Sequence, residues 1–131
     1  MRLDHVALWT ADPASLERLR AFYAEWFGAR AGARYESARR SGFASYFLTF
    51  PDGGARLELM TAPDVTRRAP GEALGYAHLA VALGSRAAVD ALAARLAAAG
   101  VPIESGPRLP GDGYYEAVVR DPDGNVVELT A

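Results

Sequence analysis

The sequence predicts an α+β fold: two tandem βαβββ modules whose helices cover one side of a curved mixed sheet and leave the other side to line a cleft. Two observations carry this. A strand pattern, a capped helix and further strand patterns occur in that order twice within 131 residues. Both copies also share a turn and the strand after it, Pro51-Asp52-Gly53-Gly54 before Leu57-Glu58-Leu59 and Pro122-Asp123-Gly124-Asn125 before Val127-Glu128-Leu129. Pro-Asp-Gly is strong turn chemistry between β runs.

In the first copy, Leu3 to Trp9 reads as a strand. Asp12 can cap a helix and Pro13 suits its first turn. Leu16, Leu19, Tyr23 and Trp26 or Phe27 recur at helical spacing, and Gly28 ends the helix. In the second copy, Gly75 to Leu83 is strand-like and Ser85 is the cap. Val89, Leu92 and Leu96 line one helical face, and Gly100 is the stop. One domain is expected over 1–131, with module 1 at about 1–62, a linker at 63–74 broken by Pro63, Pro70 and Gly71, and module 2 at about 75–131.

Composition removes several classes of function. With no cysteine there is no disulfide framework, thiolate metal site or cysteine nucleophile. The 14 basic residues are all arginine, so lysine Schiff-base chemistry is out. A net charge of −2 argues against a nucleic-acid partner. No apolar run reaches the roughly 18 residues of a membrane span, and the N-terminus lacks a signal-peptide pattern. A soluble, cytoplasmic protein without membrane association is expected.

Strand phase exposes the chemistry, because alternate side chains point to opposite faces. Val6 and Leu8, Leu57 and Leu59, Leu79 and Val81, and Val127 and Leu129 form the apolar, helix-facing phases. His5, Glu58, His78 and Glu128 all fall on the reverse. These include both histidines of the chain, and the two His-to-Glu separations are 53 and 50 residues. Taken singly, each would ordinarily be a core or solvated residue. Four in one symmetric register read as a divalent metal site with nitrogen and oxygen ligands, suited to nickel, zinc, cobalt, manganese or iron.

The segments Asp4-His5-Val6-Ala7-Leu8, Leu57-Glu58-Leu59, Ala77-His78-Leu79-Ala80-Val81 and Asp121 to Leu129 resemble the vicinal oxygen chelate superfamily across essentially the whole chain. The resemblance implies the glyoxalase/bleomycin resistance/dihydroxybiphenyl dioxygenase fold. The His, Glu, His, Glu order is most similar to glyoxalase I (lactoylglutathione lyase) and its small bacterial relatives. It implies that His5, Glu58, His78 and Glu128 hold the metal, with nickel or zinc foremost. It also implies that Glu128, or else Glu58, is the catalytic base. Two departures stand against glutathione recognition: Trp9 occupies a position that is usually Arg, and Pro107 to Gly113 replaces a glycine- and lysine-rich loop.

The expected activity is that of a metal-dependent lyase or isomerase transferring a proton on a small oxygen-chelating substrate. The alternatives are a bleomycin-resistance-type sequestering protein, which needs no metal, and an extradiol-type dioxygenase, which needs more open positions on its iron. Around the site, Trp9 and Phe47 are candidate apolar walls. Arg39-Arg40 and Arg67-Arg68 could attract an anion, although loop arginines are ordinarily solvated. Glu116 shares a phase with Val118 and Arg120 and could point into the cleft beside the metal, although a solvated edge position is the plainer expectation for it. The open module faces call for a partner, so a homodimer is expected.

Overall fold

In a computed structural model, which describes residues 1–69, 71, 74–111 and 113–131, both helices start at the caps their sequences supply. Pro70 of the expected linker and Asp112 of the 107–113 segment lie outside the described residues. Strand β1 (His5–Thr10) leads through Asp12 into helix α1 (Pro13–Phe27). The Ser15 backbone N–H donates to Asp12 Oδ1 at 2.7 Å, satisfying one of the orphan donors of the first turn. Gly28, at φ 64°, ends the helix in the left-handed conformation that favours glycine. In the second module, helix α2 (Arg86–Ala98) is capped by Ser85, whose hydroxyl accepts from the Ala88 backbone N–H at 3.2 Å.

The chain divides into two compact units, Met1–Arg68 and Ala69–Ala131, and each is a βαβββ module. In the first, β2 (Arg30–Ala31), β3 (Tyr35–Glu36), β4 (Ala44–Thr49) and β5 (Arg56–Thr61) follow the helix. The sheet runs β1-β5-β4-β2, with β3 also on β4; β1 and β5 are parallel and the rest antiparallel. The expected second strand is thus two fragments, with Gly32 between them still donating to the Phe47 carbonyl at 2.9 Å.

In the second unit, β6 (Leu79–Ala82), β7 (Ile103–Arg108), β8 (Glu116–Arg120) and β9 (Val126–Thr130) form the order β6-β9-β8-β7, with β6 parallel to β9. Strand β6 is shorter than the Gly75–Leu83 expected from sequence. Its partner β9 begins only at Val126, directly after the turn, and Leu79 already pairs with Val127, so the residues preceding His78 have nothing to pair with.

The faces follow the predicted phases. Leu57, Leu59 and Leu48 are buried with Leu16, Leu19, Tyr23 and Phe27 of α1; Val127, Leu129, Ala117 and Val119 are buried with Val89, Leu92 and Leu96 of α2. Phe27, not Trp26, takes the last core position of α1. The turn before β9 is held by Asp121, whose Oδ1 accepts from the backbone of Asp123 and Asn125 and whose Oδ2 accepts from the Asn125 amide. Among the described residues, no helix is long and apolar enough to cross a membrane.

The Asp12 cap makes a pH-dependent contribution. The bond from the Ser15 backbone holds its carboxyl below the usual carboxylate range. Stability carried by the ionised cap is therefore present above the unfolded value of about 3.9 and is lost as pH falls through the lowered folded value. In urea denaturation, Asp12→Ala should be less stable than wild type at neutral pH, and the gap should narrow below about pH 4. A gap that stayed constant into acid would assign the cap no electrostatic part.

Candidate metal centre

The site residues are set by pairing register. In the first unit, parallel pairing of β1 with β5 places Ala7 beside Glu58 and His5 beside Arg56, all on the face turned away from α1. His5 Nε2 then lies 3.7 Å from Glu58 Oε2. In the second unit Ala80 pairs with Glu128 in the same way, and His78 Nε2 lies 3.4 Å from Glu128 Oε2. The glutamates are the sheltered members, with side chains 15% and 21% exposed, against 39% and 43% for the histidines.

The structure thus brings the four expected ligands together two by two, His5 with Glu58 and His78 with Glu128. Among the described residues there is no group of three or more His, Asp or Glu side chains placed to hold a metal. Each pair fits a cation on its own terms. A divalent ion about 2.0–2.2 Å from a ring nitrogen and a carboxylate oxygen separates the two donors by about 3.0–3.4 Å. The observed separations lie at or just above that span. Imidazole with carboxylate also suits a borderline divalent metal.

The two pairs differ in their surroundings. His5 Nδ1 is 3.0 Å from Asp4 Oδ2, and Arg56 Nη2 donates to the same oxygen at 2.5 Å. These two contacts, that with His5 first, lower the Asp4 carboxyl to about 2. Phe47, opposite Glu58 on β4, lies beneath both neighbours: its ring meets His5 edge-on at 5.2 Å, and the Arg56 guanidinium stacks over it at 4.3 Å. In the second unit the residue before His78 is Ala77, the residue two before Glu128 is Val126, and Val118 stands opposite Glu128. Among the described residues, His78 Nδ1 has no hydrogen-bond partner. Asp4 and Arg56 are functional neighbours that strand phase alone leaves unmarked. The available signal was a carboxylate adjoining His5 and an arginine in phase with Glu58.

Two expectations are resolved by this geometry. Glu116 is no solvated edge residue: it is 8% exposed, on the same face as Val118 and Glu128. A bulge in β7 explains its partner. Ser105 pairs with Val118 but Arg108, three residues on, pairs with Glu116, so one extra residue is absorbed around Gly106 and Arg108 faces the carboxylate at 3.3 Å. Gly106 permits it with φ 82°, where a Cβ would lie 2.4 Å from the Glu116 carbonyl oxygen. Of the arginine pairs, Arg40 is engaged with Asp64 at 2.6 Å and stacks over Trp9 at 5.1 Å. Trp9 packs edge-on against Phe43 on the His5 side of the sheet.

The profile of the Glyoxalase/Bleomycin resistance protein/Dioxygenase superfamily matches residues 2–129. Comparison with curated protein sequences gave no match. Among solved structures, the trypanothione-dependent glyoxalase I of Leishmania major is 26% identical with a TM-score of 0.76, covering 99% of this chain and 86% of its own. Lactoylglutathione lyase from Agrobacterium tumefaciens is 27% identical with a TM-score of 0.68, covering 98% and 91%. A mutant fosfomycin resistance protein of Listeria monocytogenes, solved with manganese(II) and a dihydroxypropylphosphonic acid, shares the fold at 22% identity and a TM-score of 0.71, covering 98% and 90%.

A buried carboxylate left without its cation costs stability. Arg108→Ala should lower unfolding free energy by roughly 1–3 kcal/mol, and adding Glu116→Gln should recover part of it. Urea titration of both variants decides this; an additive loss in the double variant would show that the pair carries no coupling.

Proposed function

Because the chain belongs to the glyoxalase/bleomycin resistance protein/dioxygenase superfamily, we propose that it is a metal-dependent lyase or isomerase of the glyoxalase I kind. It would move a proton on a small substrate that chelates through two oxygens. The observation that carries this reading is the repeated His–Glu pair, with Nε2 and Oε2 separated by 3.7 Å in one unit and 3.4 Å in the other. We assign His5, Glu58, His78 and Glu128 to one divalent cation, nickel or zinc before cobalt, manganese or iron. The manganese-bound Listeria relative supports a divalent ion in this fold.

A bound divalent cation supplies Lewis-acid stabilisation of negative charge developing on a substrate oxygen. The chain supplies the group that moves the proton. Glu128 is our first assignment: a carboxylate oxygen takes the proton from the hydroxyl-bearing carbon beside a carbonyl and returns it to the former carbonyl carbon, while the hydroxyl proton passes to the former carbonyl oxygen, leaving the substrate isomerised. Glu58 is the second assignment. The two relatives named as glyoxalase I and lactoylglutathione lyase support this class of chemistry. The glutathione part is another matter. Trp9 and Phe43 form an aromatic surface on the His5 side, and the Arg40 guanidinium over Trp9 is engaged with Asp64, which leaves little hydrogen bonding for a charged tripeptide. We therefore assign a small oxygenated carbonyl compound as substrate.

The test loads the protein with nickel, zinc or manganese and incubates it with α-hydroxy carbonyl compounds, and with methylglyoxal–glutathione hemithioacetal, in deuterated water. We expect about one cation per two His–Glu pairs, proton exchange into an α-hydroxy carbonyl compound, and weak or no hemithioacetal turnover. Glu128→Gln should keep the cation yet lose exchange by about two or more orders of magnitude. A protein that takes up no divalent ion but binds hydrophobic antibiotics tightly would instead be a sequestering protein. Fast hemithioacetal turnover would make glutathione the cosubstrate after all.

We also propose a cytoplasmic, symmetric homodimer. Large apolar side chains stand exposed in both units, Leu3, Trp9 and Tyr35 in the first and Leu74, Tyr76, Leu109 and Tyr114 in the second, and such surfaces ordinarily find partners. Sedimentation at micromolar concentration should give about twice the 14.0 kDa of one chain; a clean monomer would overturn it.

A further inference from the structure

The environments of the two histidines are unequal, and the inequality assigns a role to a residue outside the four ligands. We infer that Asp4, held by Arg56, is a positioning residue that fixes His5 in the tautomer with its proton on Nδ1, so that the Nε2 lone pair faces Glu58. An ionised carboxylate can only accept, so the 3.0 Å contact between Asp4 Oδ2 and His5 Nδ1 requires the proton to be on Nδ1. Arg56 fastens Asp4 twice, through Nη2 to Oδ2 at 2.5 Å and through its backbone N–H to the Asp4 carbonyl at 2.9 Å. Phe47 steadies the group from below, with its ring edge-on to His5 and its face under the Arg56 guanidinium. His5 is therefore restrained at Nδ1, over its ring, and through the anchor of its partner.

His78 has none of this. Ala77, Val126 and Val118 occupy the places of Asp4, Arg56 and Phe47, so among the described residues no carboxylate holds its Nδ1, and its one charged neighbour is Glu128, 3.4 Å from Nε2. A histidine that binds a metal through one nitrogen gains when the other is tied to a carboxylate, because tautomer and ring orientation are then set in advance. Among the described residues, that device stands in the first module and not in the second. The consequence for metal rests on the function proposed above, whereas the tautomer does not.

Long-range proton–nitrogen spectra of the metal-free protein at about pH 8.5, above the ordinary imidazole range, test the inference with His78 as the control in the same sample. His5 should show a protonated Nδ1 and an unprotonated Nε2, and His78 the ordinary mixture. Asp4→Ala should move His5 to the pattern of His78 and reduce zinc or nickel retention, by chelator competition, about 10- to 100-fold. Asp4→Asn, which keeps an acceptor of the same size, should restore part of both. If wild-type His5 already matches His78, or if its tautomer is unchanged in Asp4→Ala, the inference is overturned. If the tautomer behaves as expected but neither wild type nor variant retains metal, the role of Asp4 on His5 stands and the metal reading falls.

Discussion

Each module depends on its last strand being central. Strand β5 lies between parallel β1 and antiparallel β4, and β9 between parallel β6 and antiparallel β8. A strand paired on both edges and buried on one face cannot slip by one residue without turning its apolar set outward. For β5 that would expose Leu57 and Leu59, at about 1.5–3 kcal/mol for each leucine. Against a net stability of about 5–15 kcal/mol for a domain, this is enough to forbid the slip. The glutamates between those leucines and valines are consequently fixed on the opposite face, and the parallel neighbour brings a histidine to each.

This constraint is written in single-strand periodicity, which is why the modules, both caps, the helix-facing phases and the two His–Glu pairs could be read from the sequence. What depends on two strands at once could not. The bulge around Gly106 shifts Arg108 onto the face of Glu116, and a lone glycine in a β run does not announce which side chain it will re-aim. Read one strand at a time, Glu116 resembles a solvated edge residue, and only pairing with β7 and β9 reveals the shelter that buries it. The short β6 has the same origin, since its length is set by where β9 begins. The anchoring of His5 draws on β1, β4 and β5 together, and the phase of any one of them contains only a fragment of it.

The repeat conserves backbone pairing while its polar layer diverges. Beside Glu58 the first module places a cation, an aromatic ring and a pinned histidine; beside Glu128 the second places Val118, Val126 and a histidine without an anchor. The second module also carries a further carboxylate, Glu116, where the pairing of the first puts the small hydroxyl of Ser45. Two chemically identical glutamates can be given different tasks only through differences of environment of this kind. A ligand that must hold its place benefits from rigid neighbours, and a carboxylate that must travel to a substrate proton and back needs neighbours that can yield. Hydrogen-bonded, charged and aromatic neighbours gather beside Glu58, and aliphatic ones beside Glu128. That difference of environment accords with the proposal, drawn first from the family resemblance, that Glu128 moves the proton and Glu58 anchors the cation.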